Sequence, residues 1–167
     1  MGSDSDLEVM KGASDFLDDM SIAHETTIVS AHRTTRRMVL YAESAKNRGL
    51  EVIIAGAGGA AHLPGMVSSL TTLPVIGVPI KTKKMDGLDS VLSIIQMPPG
   101  VPVAAVAIDG SKNAAILACQ ILALKHPFVD KKIQAYRKSQ EKQVLDKASA
   151  LEKVGPEKYL QKLKKKR

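Results

Sequence analysis

The sequence contains little that would support a disulfide-bonded, membrane-spanning or aromatic-rich protein. Its 167 residues include no Trp, two Phe and three Tyr, so an apolar core must consist mainly of aliphatic side chains. The single cysteine, Cys119, excludes an intrachain disulfide and fits a reducing compartment. No run approaches the roughly 20 apolar residues of a membrane span, and the first residues lack the basic and apolar regions of an export signal. These absences favour one soluble, cytoplasmic globular domain.

Positive charge is concentrated near the carboxyl end. The formal net charge is +7, but residues 131–167 hold 13 of the 24 Lys and Arg residues and only 4 of the 17 acidic ones. No aromatic side chains interleave with basic ones in the body of the chain, as they do on many nucleic-acid-binding surfaces. We therefore predict a solvated basic tail over residues 155–167 and no nucleic-acid or membrane partner. Binding of a polyanion through this tail is kept as an alternative.

Helical and strand-like patterns alternate along the chain. Apolar residues recur at helical spacing in segments that begin near residues 7, 35, 63, 88 and 111. Between them lie short apolar or β-branched runs at 22–29, 51–58, 73–80 and 101–108, which we predict to be strands. This order predicts an α/β fold, a three-layer αβα sandwich whose parallel sheet is covered on both faces. The predicted boundaries are a catalytic domain over 1–127 and a long helix over 128–154 that packs on the core or on a neighbouring subunit.

The first residues, "MGSDSD", read as a turn that follows a strand, although no strand-like run comes before them. Either the sheet is one strand short, or a strand lies upstream of residue 1. Sequence alone leaves both alternatives open.

Small and polar residues gather where the predicted strands end. In an open parallel sheet, ligands bind outside the carboxyl ends of the strands, where loops lead into helix N-termini. This rule selects five loops, at residues 2–6, 30–33, 55–65, 79–87 and 108–113. We expect a binding site at this edge of the sheet.

The loop "AGAGGAA" satisfies the glycine pattern of dinucleotide-binding folds only in outline. Such proteins usually carry an acidic residue about 20 positions further on, and here that region has lysines instead. An NADP- or flavin-binding module therefore stays as an alternative. The simpler interpretation is that small residues let a flat ligand lie against the backbone.

In the stretch "VSAHRTTRR", an apolar run is followed by side chains that suit a phosphorylated ligand. Arg33 offers a two-pronged donor to a phosphate, and the Ser30 hydroxyl is a further donor. His32 lies between them as a candidate acid or base near neutral pH. The structural alternatives are that Ser30 or Thr34 caps the next helix and that Arg33 pairs with an acidic residue.

The first loop offers complementary groups. Ser3 and Ser5 can donate hydrogen bonds to a phosphate, and Asp6 can accept them from sugar hydroxyls. The structural alternative is that Asp4 or Asp6 caps the first helix. In the glycine loop, His62 is as compatible with a structural role as with a ligand contact, and no residues show the spacing of a metal site.

The motifs "MGSDSD", "VSAHRT", "VIIAGAGGAAHLPGM", "PVIGVP" and "GLDSVLSIIQMPPGVPVA" resemble the N5-carboxyaminoimidazole ribonucleotide mutase family of purine biosynthesis. The resemblance covers residues 1 to about 145. It implies a flavodoxin-like fold, a homo-octamer with active sites where subunits meet, and no metal or organic cofactor. The ending also resembles fungal and plant enzymes in which this domain follows a carboxylase domain. Thr35 departs from the proline usual in the family.

By similarity, the family's reaction and residues carry over to particular positions. The substrate is a small ribonucleotide whose carboxylate moves from the exocyclic nitrogen to a ring carbon, with His32 as the general acid and base. Direct carboxylation of aminoimidazole ribonucleotide by carbon dioxide is the nearest alternative. The predicted substrate-binding residues are Ser3, Ser5, Asp6, Ser30, Arg33, Ala57, Gly58, Gly59, Ala60 and His62.

Overall fold

A computed structural model describes residues 1–164 of the chain. After a short 3-10 turn at Asp4–Asp6, the helices are α1 (Leu7–Asp19), α2 (Thr35–Ala45), α3 (Leu63–Ser68), α4 (Leu88–Ile95), α5 (Ser111–Ala123), α6 (Pro127–Val154) and α7 (Pro156–Lys164). The strands are β1 (Ile53–Gly58), β2 (Val75–Ile80) and β3 (Ala104–Ala105). The predicted order of helices is confirmed.

The three strands form one parallel sheet in the order β1-β2-β3. Ile53 lies opposite Val75 in the β1–β2 pair, and Ile76 lies opposite Ala104 in the β2–β3 pair. Every residue of β2 is buried, which matches the unbroken apolar run in its sequence. The pairing brings the carboxyl ends of β1 and β2 to the same edge of the sheet.

Helices cover both faces of this sheet, so the predicted αβα layering is confirmed. One apolar core joins β1 to α2, α3 and the inner side of α4, with Met38 and Ile94 fully buried in it. On the other face, α1 and α5 pack together and against the strands, and the first turns of α6 cover them. Aliphatic side chains fill both cores, as the scarcity of aromatics requires.

The prediction of a strand over residues 22–29 is wrong. This segment is extended but pairs with no strand within residues 1–164. At its far end, the backbone of Thr27 and Val29 bonds to Met1. A β-branched sequence favours an extended backbone, but a strand also needs a hydrogen-bonded partner. The predicted strand over 101–108 is likewise reduced to β3, which pairs on one side only.

The long C-terminal helix is present, and only its beginning is buried. Val129 and Ile133 of α6 pack against the α1–α5 pair, and Phe16 meets Tyr136 edge to face. The rest of α6 and all of α7 are largely exposed. Within the predicted solvated tail, residues 156–164 form a helix with no buried residue, and residues 165–167 lie outside the described part. None of the helices described here combines the length and apolarity that crossing a membrane requires.

Candidate active site

A polar cavity of about 410 Å³ opens at the carboxyl edge of β1 and β2. It is formed by the loop before α1, the loop before α2, the glycine loop after β1 and the start of the loop after β2. The fifth predicted loop, residues 108–113, does not line it. Asp109 instead supports its wall, because its carboxylate accepts a hydrogen bond from the Lys81 backbone N–H at 2.8 Å.

The loop before α1 is held in shape by its own side chains. The Asp6 carboxylate accepts a hydrogen bond from the Ser3 backbone N–H at 3.1 Å, and the Ser3 hydroxyl accepts one from the Ser5 N–H at 3.4 Å. Together these bonds form a capping box. The alternative that Asp4 or Asp6 caps the first helix is not what these bonds show, because Asp6 precedes α1 without a side-chain cap bond and instead closes the short turn with Ser3. Ser3 and Asp6 also line the cavity.

Asp6 is a buried carboxylate beside the cavity, with 7% of its surface exposed. Burial raises its pKa, and the hydrogen bond from the Ser3 N–H only partly offsets that effect. A folded-state pKa above the unfolded value means that stability is greatest at low pH and is lost as pH rises through the folded pKa. At neutral pH the ionised Asp6 therefore costs folding free energy.

We expect Asp6→Asn to stabilise the fold at pH 7. The amide keeps an acceptor for the Ser3 N–H but carries no charge. Tm should rise by about 2 to 4 °C, the effect of roughly 1 kcal/mol in a chain of this size. The gain should vanish when pH falls below the unfolded Asp pKa of about 3.9. Thermal melting of the wild type and the variant between pH 3 and 8 measures the rise in Tm and its loss at low pH.

Asp4→Asn is the matched control for this prediction. Asp4 is exposed, and hydrogen bonds from the Ser3 hydroxyl and the Ser5 N–H lower its pKa, so its ionised form is favoured in the fold. The Asn variant should show no gain in Tm at pH 7. Equal gains for both variants would contradict the burial argument.

The loop before α2 presents a cation without a carboxylate partner. Arg33 donates from its Nε to the Ser30 hydroxyl at 3.3 Å and from Nη2 to the Gly2 carbonyl at 3.4 Å. Within residues 1–164 it makes no salt bridge, whereas Arg48 is fully engaged with Glu25. Long bonds to neutral acceptors leave the charge of Arg33 available to an anion.

Ser30 and Thr34 fix the backbone of this loop. The buried Ser30 donates its N–H to the Thr34 hydroxyl at 2.9 Å, and the Arg33 N–H donates to the Ser30 hydroxyl at 3.3 Å. Thr34 is the N-cap residue of α2, but its hydroxyl bonds back to Ser30 rather than to the helix. Hydrogen bonds within the protein therefore fix the conformation of this loop.

Two histidines meet at the rim of the cavity. His32 Nε2 lies 2.8 Å from His62 Nδ1, a hydrogen-bond distance, and the rings are nearly perpendicular at 81°. One of these two nitrogens must donate a proton and the other must accept it, so a single proton lies between them. The hydrogen bond is lost if both nitrogens are protonated. Within residues 1–164, His32 Nδ1 makes no hydrogen bond. Nothing in the residues around either histidine indicates this pairing.

The glycine loop is clamped from α4. The Gly59 N–H donates to the Ser90 hydroxyl at 2.9 Å, and that hydroxyl donates to the Ile80 carbonyl at 2.7 Å. Gly59 has φ +70°, a left-handed conformation that other residues rarely adopt. Because its amide is used inside the protein, it is not a free donor for a dinucleotide phosphate.

The structure brings nearly all of the predicted substrate-binding residues to one cavity. Gly59 is the exception, since it turns toward α4. The cavity also includes residues that the list of substrate-binding residues omitted, although each of them lies in one of the loops that the strand-end rule selected. Residues from both groups line it as follows: Ser3, Ser5, Asp6, Ser30, His32, Arg33, Ala57, Gly58, Ala60 and His62 from the prediction, and Gly2, Ala31, Leu63, Ile80, Lys81 and Thr82 in addition.

The described residues contain no group of three or more His, Cys, Asp or Glu side chains that could hold a metal ion. The side chains at the site offer an anion-binding cation with hydroxyl and backbone donors, and a histidine pair that can move a proton.

Comparison with known proteins finds close relatives. The model of the AIR carboxylase family matches residues 1–143. The N5-carboxyaminoimidazole ribonucleotide mutase of Thermotoga maritima is 59% identical over 160 residues, which are 96% of this chain and 94% of that protein. The phosphoribosylaminoimidazole carboxylase of Schizosaccharomyces pombe is 58% identical, and the match covers 95% of this chain but 29% of that protein. The crystal structure of Treponema denticola PurE has a TM-score of 0.81 at 27% identity, covering 90% of this chain and 94% of that one.

Proposed function

The chain belongs to the AIR carboxylase family, and on that premise we propose that it is an N5-carboxyaminoimidazole ribonucleotide mutase of purine biosynthesis. It converts N5-carboxyaminoimidazole ribonucleotide to 4-carboxy-5-aminoimidazole ribonucleotide. The activity in the names of the full-length relatives supports this proposal. No oxidation or reduction takes place, so the reaction requires no redox cofactor.

The observation that carries the proposal is the placement of His32. Its ring lies at the rim of a cavity that a loop of Gly and Ala also lines, and the next residue, Arg33, carries a positive charge that forms no salt bridge within residues 1–164. A ribonucleotide with its phosphate on Arg33 and Ser30 would bring its base to this rim. Asp6, which also lines the cavity, can accept hydrogen bonds from the ribose hydroxyls.

The reaction needs one proton to leave a carbon and one to reach a nitrogen. The bond from the exocyclic nitrogen to the carboxyl carbon breaks, its electron pair returns to the nitrogen, and that nitrogen takes a proton from His32. The ring carbon then attacks the released carbon dioxide and loses its own proton to His32. The histidine ends in the state in which it began, so a single acid–base group is sufficient.

His62 acts in this proposal as a positioning residue. Its hydrogen bond to His32 Nε2 fixes the ring orientation and the tautomer of His32, which sets the nitrogen that faces the substrate. Ala57, Gly58 and Ala60 line the same cavity, and none of them has a side chain that could compete for the proton. Carbon dioxide must stay near the ring carbon until the new bond forms, so the bound ribonucleotide has to close the open side of the cavity during the reaction.

We also propose that the enzyme is a cytoplasmic homo-octamer whose active sites lie near subunit contacts. Apolar residues are exposed on the outer side of α4, including Leu88, Leu92 and Ile95, and α4 is the helix that clamps the glycine loop. Exposed apolar surface of this kind is typical of protein–protein contacts. The largely exposed later part of α6 offers a second surface for contact with a neighbouring copy of the chain.

We expect the purified chain to convert N5-carboxyaminoimidazole ribonucleotide when bicarbonate is limiting. The mutase reaction generates its own carbon dioxide, whereas direct carboxylation of aminoimidazole ribonucleotide depends on dissolved carbon dioxide. Ultraviolet absorbance follows both conversions in parallel, and light scattering on the same sample gives the size of the assembly. Turnover of aminoimidazole ribonucleotide alone, proportional to bicarbonate, would instead indicate a carboxylase. Tight NADP or flavin binding with neither turnover would indicate a binding module.

A further inference from the structure

The active-site cavity has two ends, which lie on opposite sides of β1. At one end, Arg33 donates to the Gly2 carbonyl at 3.4 Å, and the Gly2 N–H donates to the Gly56 carbonyl of β1 at 3.2 Å. At the other end, Thr82 follows β2, which pairs with the opposite edge of β1. Neighbouring strands are about 4.8 Å apart, so roughly two strand spacings separate Gly2 from the end of β2. A ligand that extends across the cavity from Arg33 therefore has its other end near Thr82.

The end of the cavity at β2 is lined by Ile80, Lys81 and Thr82. Ile80 is apolar. The Lys81 ammonium pairs with the carboxylate of Asp86 at 3.1 Å, and Asp86 does not line the cavity. Of these three lining residues, Thr82 therefore offers the polar side-chain group that is not engaged by an exposed salt bridge.

The Thr82 side chain is held on two sides. Its hydroxyl donates to the Asp89 carboxylate, with Oγ1 3.2 Å from Oδ1 and 3.1 Å from Oδ2. Its methyl group lies beside Gly58, where an added Cβ would be 3.4 Å from Thr82 Cγ2. Asp89 is itself held, because its Oδ1 accepts a hydrogen bond from the Ser90 N–H at 3.0 Å. A β-branched side chain with both substituents in contact has one favoured rotamer.

The bond to Asp89 also determines what the Thr82 hydroxyl can offer a ligand. A hydroxyl has one proton to donate and two lone pairs that accept, whereas a carboxylate only accepts. The Thr82 proton is therefore directed to Asp89, and Oγ1 is left with lone pairs only. A ligand group with an N–H can bond to this oxygen, but a carbonyl or phosphate oxygen cannot.

We propose that Thr82 is a further substrate-binding residue, whose hydroxyl oxygen accepts a hydrogen bond from the exocyclic N–H of the ribonucleotide, and that Asp89 is its positioning residue. This inference rests on the function proposed above. The exocyclic nitrogen carries an N–H in the substrate and also in the product. When that N–H points to Thr82, the carboxyl group on the planar nitrogen points away from it and into the cavity, which His32 also lines.

A binding comparison tests the role of Thr82 without turnover. The two ligands are 4-carboxy-5-aminoimidazole ribonucleotide and its analogue with hydrogen in place of the 5-amino group, so the phosphate, ribose and carboxylate are the same. By titration calorimetry, the wild type should bind the amino ligand about 10- to 100-fold more tightly, the effect of leaving a hydrogen-bonding group without a partner. Thr82→Val keeps the shape but not the acceptor, and should lose about tenfold or more of this preference. Thr82→Ser should retain it.

Asp89→Asn tests the positioning role with the same two ligands. If the amide oxygen accepts the Ser90 N–H, the amide nitrogen takes the place of Oδ2 and donates to Thr82 Oγ1. The Thr82 proton is then released toward the cavity, so the preference for the amino ligand should fall while the other ligand binds as before. Equal weakening of both ligands would show a merely structural role and would overturn the assignment of Asp89.

Thr72→Val is the matched control. Thr72 is exposed, its hydroxyl accepts from the Lys46 ammonium at 3.2 Å, and it does not line the cavity. Both dissociation constants should stay at the wild-type values. A wild-type preference that Thr82→Val leaves unchanged, or an equal loss of affinity for both ligands in that variant, would overturn the inference alone. A wild type that binds neither ligand would refute the proposed function, and the inference with it.

Discussion

His32→Asn should lower kcat for conversion of N5-carboxyaminoimidazole ribonucleotide by about 10²- to 10⁴-fold, the usual contribution of a positioned acid–base group. Asparagine preserves much of the shape of the ring and can still hydrogen-bond to His62, but it cannot take up and release a proton. KM should change little, because the phosphate and ribose contacts are made by other residues. Steady-state kinetics by ultraviolet absorbance separates the two parameters.

The matched control for His32 is His24→Asn. His24 bonds to the nearby Ile22 carbonyl at 3.1 Å and does not line the active-site cavity. Its substitution should leave kcat unchanged, so any general effect of losing a histidine is accounted for. Full turnover by a folded His32→Asn protein would mean that the proton is carried by another group, and the mechanism proposed above would be wrong.

Arg33→Gln should raise KM by roughly 10- to 100-fold with a smaller effect on kcat. A hydrogen bond to a charged group contributes about 1.5 to 3 kcal/mol, and glutamine retains a donor but not the charge. Because Arg33 has no carboxylate partner in the described residues, its removal leaves no buried acid unpaired, and the fold should keep its Tm. Competition by inorganic phosphate provides a direct readout, since phosphate should inhibit the wild type and lose this effect in the variant.

Arg36→Gln provides the comparison for Arg33. Arg36 is exposed on α2 and does not line the cavity, so its loss changes the net charge equally without removing a proposed ligand contact. KM should remain near the wild-type value. If both variants raised KM equally, the effect would be one of overall charge, and Arg33 would not be the phosphate ligand.

Most of the helices could be predicted from the sequence because the apolar spacing that indicates a helix lies within a single segment. The apolar spacing of α1 and α5 and the unbroken apolar run of β2 each indicate one structure whatever the partner. The rule that ligands bind at the carboxyl ends of parallel strands then selected the loops around Ser3, His32 and Gly58, and four of the five selected loops line one cavity. The order of the elements and the spacing of apolar residues are enough to predict the helices, the buried strand and these loops.

Contacts between distant segments could not be predicted in this way. His32 and His62 lie 30 positions apart, and the Ser90 hydroxyl that holds Gly59 belongs to a helix whose sequence is otherwise that of an ordinary amphipathic element. Nothing in the residues near His32 indicates its partner. Such pairs arise from the relative placement of strands and helices, which depends on how the whole chain packs.

By itself, the sequence determined the α/β class, the loops that carry the candidate chemistry and the aliphatic character of the core. Only the tertiary structure decided that residues 22–29 are not a strand, that Gly59 faces α4 and that two histidines share one proton. The physical reason is the same in each case. Helix formation and burial follow from side chains within one segment, whereas strand pairing and side-chain hydrogen bonds need a second segment at the correct distance.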